Sequence, residues 1–128
     1  MLRFFYIALG GAFGALFRYG MSGLVYRSVS GSFPFGTLVV NLIGALIIGL
    51  LWGLFEIANV SQNLRLFLFI GILGSFTTFS TFSLESFHLF RDGEYGMFIG
   101  NIVLNVVLSI SLVCAGYFFS KAALDIVQ

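Results

Sequence analysis

The stretch Gly74-Ser-Phe-Thr-Thr-Phe-Ser-Thr-Phe82 places glycine, serine and threonine in the middle of a long hydrophobic run. A bilayer offers no water to such groups, so they must face protein or an aqueous path. The same residues disfavour a regular helix, and a broken helix leaves backbone groups free to bind. Hydroxyl donors and the electropositive edges of phenylalanine rings suit a small ion. We therefore predict a membrane helix that is broken here and that handles a small ion at the break.

Composition places the whole chain in the membrane class. Of its 128 residues, 59% are hydrophobic and 9% are charged, and the mean hydropathy is +1.08, which leaves no room for a separate soluble domain. A net charge of +1 provides no basic patch for nucleic acid. The acidic residues are too few and scattered to suggest a carboxylate metal site. The single cysteine, Cys114, cannot form an intrachain disulfide and is interpreted as a helix-packing residue.

Four hydrophobic segments are long enough to cross a bilayer as helices, which takes about 20 apolar residues each. They cover residues 4–26, 37–55, 64–90 and 97–122, with short polar or glycine-containing connections between them. The sequence therefore predicts an all-α integral membrane protein in which residues 1–128 form one four-helix domain surrounded by lipid.

The charges that flank the segments are nearly balanced between the two sides of the membrane. Arg3, Arg65 and Lys121 lie on the side of the N-terminus, and Arg27 and Arg91 lie on the other. This bias is too small for the positive-inside rule to fix one orientation. Four helices are also too few to enclose a pore alone. We therefore expect a homodimer, and insertion in both orientations would allow an antiparallel one with its two-fold axis in the membrane plane.

The first segment carries Gly10, Gly14 and Arg18 on one helical face. The two glycines form a small-xxx-small pattern, which is explained most simply by close packing against another helix. A charge at the depth of Arg18 costs roughly 2.5 to 3.5 kcal/mol on insertion scales. This cost favours a position beside an aqueous vestibule over snorkelling to the far headgroups.

The second and fourth segments carry amide side chains whose role the sequence leaves open. Asn41 could join helices, at about 0.6 kcal/mol for an average intramembrane hydrogen bond, or could serve an ion. Asn101, Asn105 and Ser109 recur every four residues, and Val113 ends the series. This polar stripe could equally hold helices together or wet one side of a narrow path.

In the third segment, two polar stripes are predicted on one helix, which implies more than packing. At 100° per residue, Phe79 and Phe82 lie about 60° apart. They are expected to share a face with Ser75 and Ser86, and the second stripe consists of Thr77, Thr81, Glu85 and His88. Glu85 and His88 lie nearer the far interface, where a structural or solvated role is expected.

The sequence provides no catalytic arrangement. His88 is the sole histidine and has no serine or cysteine partner at motif spacing, and there is no Walker-type glycine loop. We predict that the protein is not an enzyme.

The motif Gly36-Thr37-x-x-x-Asn41, followed by Gly-x-x-Gly-x-x-Thr-Thr-Phe-Ser-Thr-Phe from Gly71 to Phe82, resembles the Fluc family of fluoride channels, also called CrcB proteins. The similarity covers essentially the whole chain, including the four segments and the arginine in the first. It implies a dual-topology, antiparallel homodimer in a prokaryotic plasma or inner membrane. It also implies two fluoride pathways, a structural sodium ion at the subunit interface, and passive export that prevents toxic accumulation of fluoride.

The resemblance assigns roles residue by residue. Phe79 and Phe82 match the family's pore phenylalanines, and Asn41 matches its pore asparagine. The sodium site corresponds to the backbone carbonyls of Gly74 and Thr77 from both subunits. The other fluoride-pathway matches are Arg18, Thr37, Ser80 and Thr81 at a polar vestibule, and Asn105 and Ser109 on a polar track. Two departures from the family pattern are Ser75, in place of a glycine, and Val113, where the track often continues with threonine.

Two other functions compete with this interpretation. A small multidrug-type, proton-coupled transporter also has four helices, but it needs a membrane-embedded carboxylate in its first helix, and this first segment has none. A noncatalytic membrane assembly subunit would use the glycines and asparagines only for packing and would conduct nothing.

Overall fold

The computed structural model describes residues 1–125, and within them every regular element is helical. Helix α1 covers Leu2–Ser28 and α2 covers Phe35–Ile57. The third and fourth spans, α3 and α4, cover Gln62–Arg91 and Tyr95–Leu124. All four are long and apolar enough to cross a membrane. Each is slightly longer than its hydrophobic segment because flanking aromatic and polar residues join the terminal turns.

Helix α3 is broken at the expected place. Its first half, residues 62–76, is π-helical over Leu66–Leu73 and α-helical over Gly74–Phe76. Thr77 and Thr78 are extended, with ψ angles of 157° and 116°. The α-helix then resumes over Phe79–Arg91. Two extended residues are enough to displace the two halves of α3 from a common helical register.

A tight turn brings α4 back beside the second half of α3. Gly93 has a φ of +82°, which glycine adopts without steric cost. The N–H of Gly93 donates to the carbonyl of Phe90 at 3.2 Å, and the N–H of Glu94 donates to that of Leu89 at 2.9 Å. This bonding pattern is a Schellman motif, which caps the C-terminus of α3 and reverses the chain.

Glycines allow the helices to pack with their backbones in contact. A Cβ added at Gly10 would meet the carbonyl oxygen of Phe67, and one at Gly14 would meet that of Ile72. The packing role expected for these two glycines of α1 is therefore confirmed, with the first half of α3 as the partner. In the same way, a Cβ at Gly49 of α2 would meet the Val113 carbonyl of α4. These contacts hold the first half of α3 against α1, and α4 against α2.

Candidate ion pathway

The break in α3 is held by a side chain of α2. Asn41 Oδ1 accepts a hydrogen bond from the Thr78 N–H at 2.9 Å, and Asn41 Nδ2 donates to the Thr78 carbonyl at 3.2 Å. Both backbone groups of Thr78 are thus satisfied by one amide, which offsets the loss of helical bonds in a water-poor environment. Asn41 consequently does more than join two helices, because it stabilises the extended backbone itself.

The break releases the carbonyls of Gly74 and Thr77. In a continuous helix these would accept bonds from the N–H groups of Thr78 and Thr81. Those N–H groups bond Asn41 Oδ1 at 2.9 Å and Thr78 Oγ1 at 3.2 Å instead. Gly74 and Thr77 both line the cavity beside the break. Backbone carbonyls of unwound helix segments coordinate sodium in membrane proteins. The backbone at the break therefore fits the ion that the sequence motif implies.

Thr78 also caps the second half of α3. Its Oγ1 accepts from the Thr81 N–H and donates to Thr81 Oγ1 at 2.9 Å, and Ser80 Oγ lies 3.4 Å away. The positive end of the second half-helix and the negative end of the first consequently meet within this break. Such an arrangement can serve an anion and a cation in adjacent positions.

A cavity of about 430 Å³, the break cavity, lies beside the α3 break. Its walls include Asn41, Phe79, Phe82, Asn105 and Ser109, together with Gly74, Thr77 and Val113. The Phe79 and Phe82 ring centroids lie 5.4 Å apart at an interplanar angle of 51°. Phe82 is 7% exposed, whereas Phe79 is 77% exposed on the single chain. The two rings are neighbours, but only one is enclosed by its own subunit.

The predicted common face of Ser75 with the two rings is wrong. Ser75 lies against Gly11 and Gly14 of α1, whereas Phe79 and Phe82 face the cavity. The helical count of 100° per residue fails here because Thr77 and Thr78 are extended, so the phase of the first half does not carry into the second.

A second cavity, of about 260 Å³, adjoins the first at Thr78, which lines both. Arg18, Thr37 and Thr81 also line it. Arg18 is half-buried beside this cavity, as the vestibule interpretation requires. Thr37 is 4% exposed, and its hydroxyl donates to Glu85 Oε1 at 2.9 Å.

Glu85 and Tyr26 separate the second cavity from a third, of about 330 Å³, which lies at the far end of the bundle. The Tyr26 hydroxyl donates to Glu85 Oε1 at 2.8 Å. At the rim of the third cavity, the Arg91 guanidinium donates to Asp92 at 2.9 Å and lowers the pKa of that carboxyl. The pair adds no net charge to the rim at neutral pH.

The polar stripe on α4 divides between the two roles that the sequence left open. Asn101 is 0% exposed, and its Nδ2 donates to Ser86 Oγ at 2.9 Å, so it joins α4 to α3. Asn105 accepts from Asn41 Nδ2 at 3.0 Å and also lines the break cavity. Ser109 lines that cavity without joining this amide network. The stripe therefore joins two helices at its Asn101 end and lines the cavity at its Ser109 end.

Sequence reasoning missed several polar residues of this region. Thr78 is the N-cap of the second half of α3, and its spacing before Thr81 was a capping signal. Glu85 has contacts that agree with the structural role expected for it, but its partners were not foreseen, and its other oxygen, Oε2, is buried without a hydrogen-bond partner in the described residues. Its contacts to Tyr26 and Thr37 join three helices, and no local pattern predicts such a meeting.

Comparison with known proteins agrees with the motif. Residues 5–117 match the family described as "CrcB-like protein, Camphor Resistance (CrcB)". A Desulfotalea psychrophila protein named "Fluoride-specific ion channel FluC" is 47% identical over 114 residues, which are 89% of this chain and 88% of the relative. Proteins of the same name from Parabacteroides distasonis and Salinibacter ruber are 41% identical over 128 residues and 46% over 116. These alignments cover 100% of both chains for the former, and 91% of this chain and 87% of the relative for the latter. With its four apolar helices and this similarity over nearly its whole length, the chain is a multi-pass bacterial membrane protein that belongs to the CrcB family.

Proposed function

We propose that this chain forms a fluoride-selective ion channel that exports fluoride passively. The observation that carries the proposal is the cavity at the α3 break, where hydroxyls and ring edges line one wall. Fluoride is small and strongly hydrated, so a pore must replace its water with short hydrogen bonds and positive partial charge. Relatives of this chain are named as fluoride-specific channels, and the site provides the matching chemistry.

The three adjoining cavities give the proposed path its order. Fluoride would pass from the third cavity, past Glu85, into the second cavity beside Arg18, and then into the first cavity at the break. The proposed donors are the hydroxyls of Ser80, Thr81 and Ser109 and the ring edges of Phe79 and Phe82. The Thr37 hydroxyl already donates to Glu85 and would have to turn to serve fluoride. Asn41 and Asn105 already use their amide N–H groups within the protein. They hold the wall of the path in place, and any bond that they give to fluoride must replace one of these.

The functional unit in this proposal is an antiparallel, dual-topology homodimer with two pathways. Phe79 is 77% exposed on the single chain, and it lines the break cavity. A second copy would enclose both the ring and the cavity. The near balance of flanking charges permits the opposite insertion that this arrangement needs.

A sodium ion at the dimer interface is the proposed structural cofactor. No cluster of three or more His, Cys, Asp or Glu side chains in residues 1–125 could hold a metal ion, so the ligands would be backbone oxygens. The carbonyls of Gly74 and Thr77 from each subunit are the proposed set. A bound ion there would supply fixed positive charge, which helps to hold an anion nearby.

The family consists of ion channels rather than enzymes, and α1 lacks the carboxylate that proton-coupled multidrug transport needs. A channel of this kind requires neither a proton gradient nor ATP. Fluoride would leave down its own gradient after hydrogen fluoride enters from acidic surroundings and dissociates inside the cell.

The test is ion efflux from liposomes that contain the purified protein, measured with a fluoride electrode and then with a chloride electrode. We expect rapid fluoride efflux without an imposed proton gradient, and chloride efflux close to that of protein-free liposomes. Comparable efflux of both ions would contradict selectivity. Efflux of neither ion would favour an assembly subunit over a channel.

A further inference from the structure

A chain of hydrogen bonds crosses from the α3 break to α4 and returns to α3. Each group donates to the next, in the order Thr78 N–H, Asn41, Asn105, Asn101, Ser86 and the Phe82 carbonyl. The distances lie between 2.8 and 3.0 Å. The chain thus begins at the backbone of the break and ends at the backbone of the enclosed pore ring.

The direction of this chain is fixed by its first member. A backbone N–H can only donate, so the Thr78 N–H requires Asn41 to present its oxygen. The Asn41 nitrogen must then face the oxygen of Asn105. For the same reason the Asn105 nitrogen faces the Asn101 oxygen, and the Asn101 nitrogen faces Ser86. Reversal of one amide would place two donors or two acceptors against each other, which is costly for buried groups. Bonds in such a chain also strengthen one another.

Asn101 occupies the middle of this chain and is fully buried. It is not among the residues that line the break cavity, so it does not touch a passing ion there. It nevertheless orients Asn105 on one side and Ser86 on the other. Without its side chain, the Asn105 nitrogen would keep only its bond to the Asn101 backbone carbonyl, at 3.1 Å, and the bond from Asn41 to the Asn105 oxygen would be the only side-chain bond left to orient that amide.

We propose that Asn101 is a positioning residue for ion conduction, which acts through this chain on Asn41 at the break and on the Phe82 backbone. The inference rests on the proposed channel function. A residue that served only to pack α4 against α3 would affect conduction only in proportion to stability. A positioning residue would change conduction in a protein that remains stably folded.

The variants are Asn101→Leu, Ser86→Ala and the double variant, with Ser83→Ala as the matched control. Leucine has the branched outline of asparagine without its polar atoms, although it is larger. Removal of both polar partners in the double variant leaves neither Asn101 nor Ser86 facing an unpaired group of the other. Ser83 donates to the Phe79 carbonyl at 2.8 Å, as Ser86 does to the Phe82 carbonyl at 2.8 Å. Only Ser86 also accepts from Asn101, so the pair of serines isolates membership in the chain.

We expect fluoride efflux per dimer to fall by about tenfold in Asn101→Leu and in Ser86→Ala, the rate equivalent of one misplaced buried polar group. The double variant should lose no more efflux than either single variant, and its melting temperature should not fall below that of Asn101→Leu, because Ser86 no longer faces a missing partner. The Ser83→Ala control should retain wild-type efflux. Equal losses in Ser83→Ala and Ser86→Ala, or efflux that follows melting temperature across the set, would overturn the proposal.

The backbone amide of Thr78 provides a readout that packing alone would not move. Its proton resonance in ¹⁵N-labelled protein should shift upfield in Asn101→Leu, because the bond to Asn41 loses the support of the chain. An unchanged Thr78 resonance in folded Asn101→Leu would refute transmission along the chain. If the wild-type protein passes no fluoride, the channel function fails; if it passes fluoride and Asn101→Leu does so equally well, only this inference fails.

Discussion

Single residues at the α3 break stabilise a backbone segment that has left the helix. Asn41 satisfies both backbone groups of Thr78, and Thr78 in turn caps the helix that follows. The cost of breaking a membrane helix is therefore offset by two side chains. Because the released carbonyls and the Phe79 and Phe82 rings adjoin this segment, the residues that stabilise the break also hold the proposed ion sites in place.

Substitution of Phe79 and Phe82 tests the proposed conduction mechanism at the level of single residues. Phe82→Ile and Phe79→Ile keep apolar bulk and remove the electropositive ring edge, so fluoride efflux should collapse in both. The stability costs should differ, since Phe82 is buried and Phe79 is exposed on the single chain. We expect about 1 to 3 kcal/mol for Phe82→Ile and less for Phe79→Ile. Initial efflux per dimer and thermal melting measure the two effects.

Phe118→Ile is the control for these variants, because this ring is 66% exposed on α4 and is absent from the walls of the break cavity. It should conduct as the wild type does. Wild-type efflux in both motif variants would remove the rings from the path.

At the scale of whole elements, glycines decide how closely the helices approach. Membrane helices lack a hydrophobic force that would drive them together, so close backbone contact must supply the association energy. The contacts of Gly10 with the first half of α3, and of Gly49 with α4, leave no space for a Cβ. The same contacts position the two walls of the cavity at the break.

Alanine substitutions should separate packed glycines from unpacked ones. Gly10→Ala and Gly49→Ala would push a methyl group against backbone carbonyls and should destabilise the protein by about 1 to 3 kcal/mol. Gly20→Ala on α1 has open space among the described residues, and alanine's better helix propensity should leave stability unchanged or raise it by up to about 1 kcal/mol. Melting temperatures in detergent give the comparison. Equal destabilisation at Gly20 and Gly10 would contradict the packing described.

For the whole molecule, the balance of charge at the two membrane faces governs the orientation in which the chain inserts. The side of the N-terminus carries Arg3, Arg65 and Lys121, against Arg27 and Arg91 on the far side. A difference this small does not dictate one insertion. Both orientations would then be present in one membrane, as the proposed antiparallel dimer needs.

Labelling of intact cells with a membrane-impermeant maleimide tests dual topology. The Cys114→Ala background removes the native thiol. Gln62→Cys then places a single thiol at the start of α3, and Ser32→Cys places one in the loop between α1 and α2, on the opposite face of the membrane. Each should label in about half of the copies if insertion is unbiased. Complete labelling at one site and none at the other would establish a single orientation and exclude the antiparallel dimer.

The sequence by itself determined the four helices and the place of the break. Hydrophobic length fixes a membrane span, and glycine, serine and threonine in the middle of such a span indicate the break, because these signals are local. It also identified the residues at the break, Gly74, Thr77, Phe79 and Phe82, through a family motif.

Only the tertiary structure decided which side chains meet. Glu85 accepts hydrogen bonds from Tyr26 and Thr37, and Asn101 donates one to Ser86. These bonds join residues that are far apart in the chain. Lipid is as apolar as the helix surfaces, so hydrophobicity does not select the face that each helix turns inward; close packing and hydrogen bonds between helices do. The extended residues at the break also reset the helical phase, so periodicity in the sequence could not place Ser75 and Phe79 correctly relative to each other.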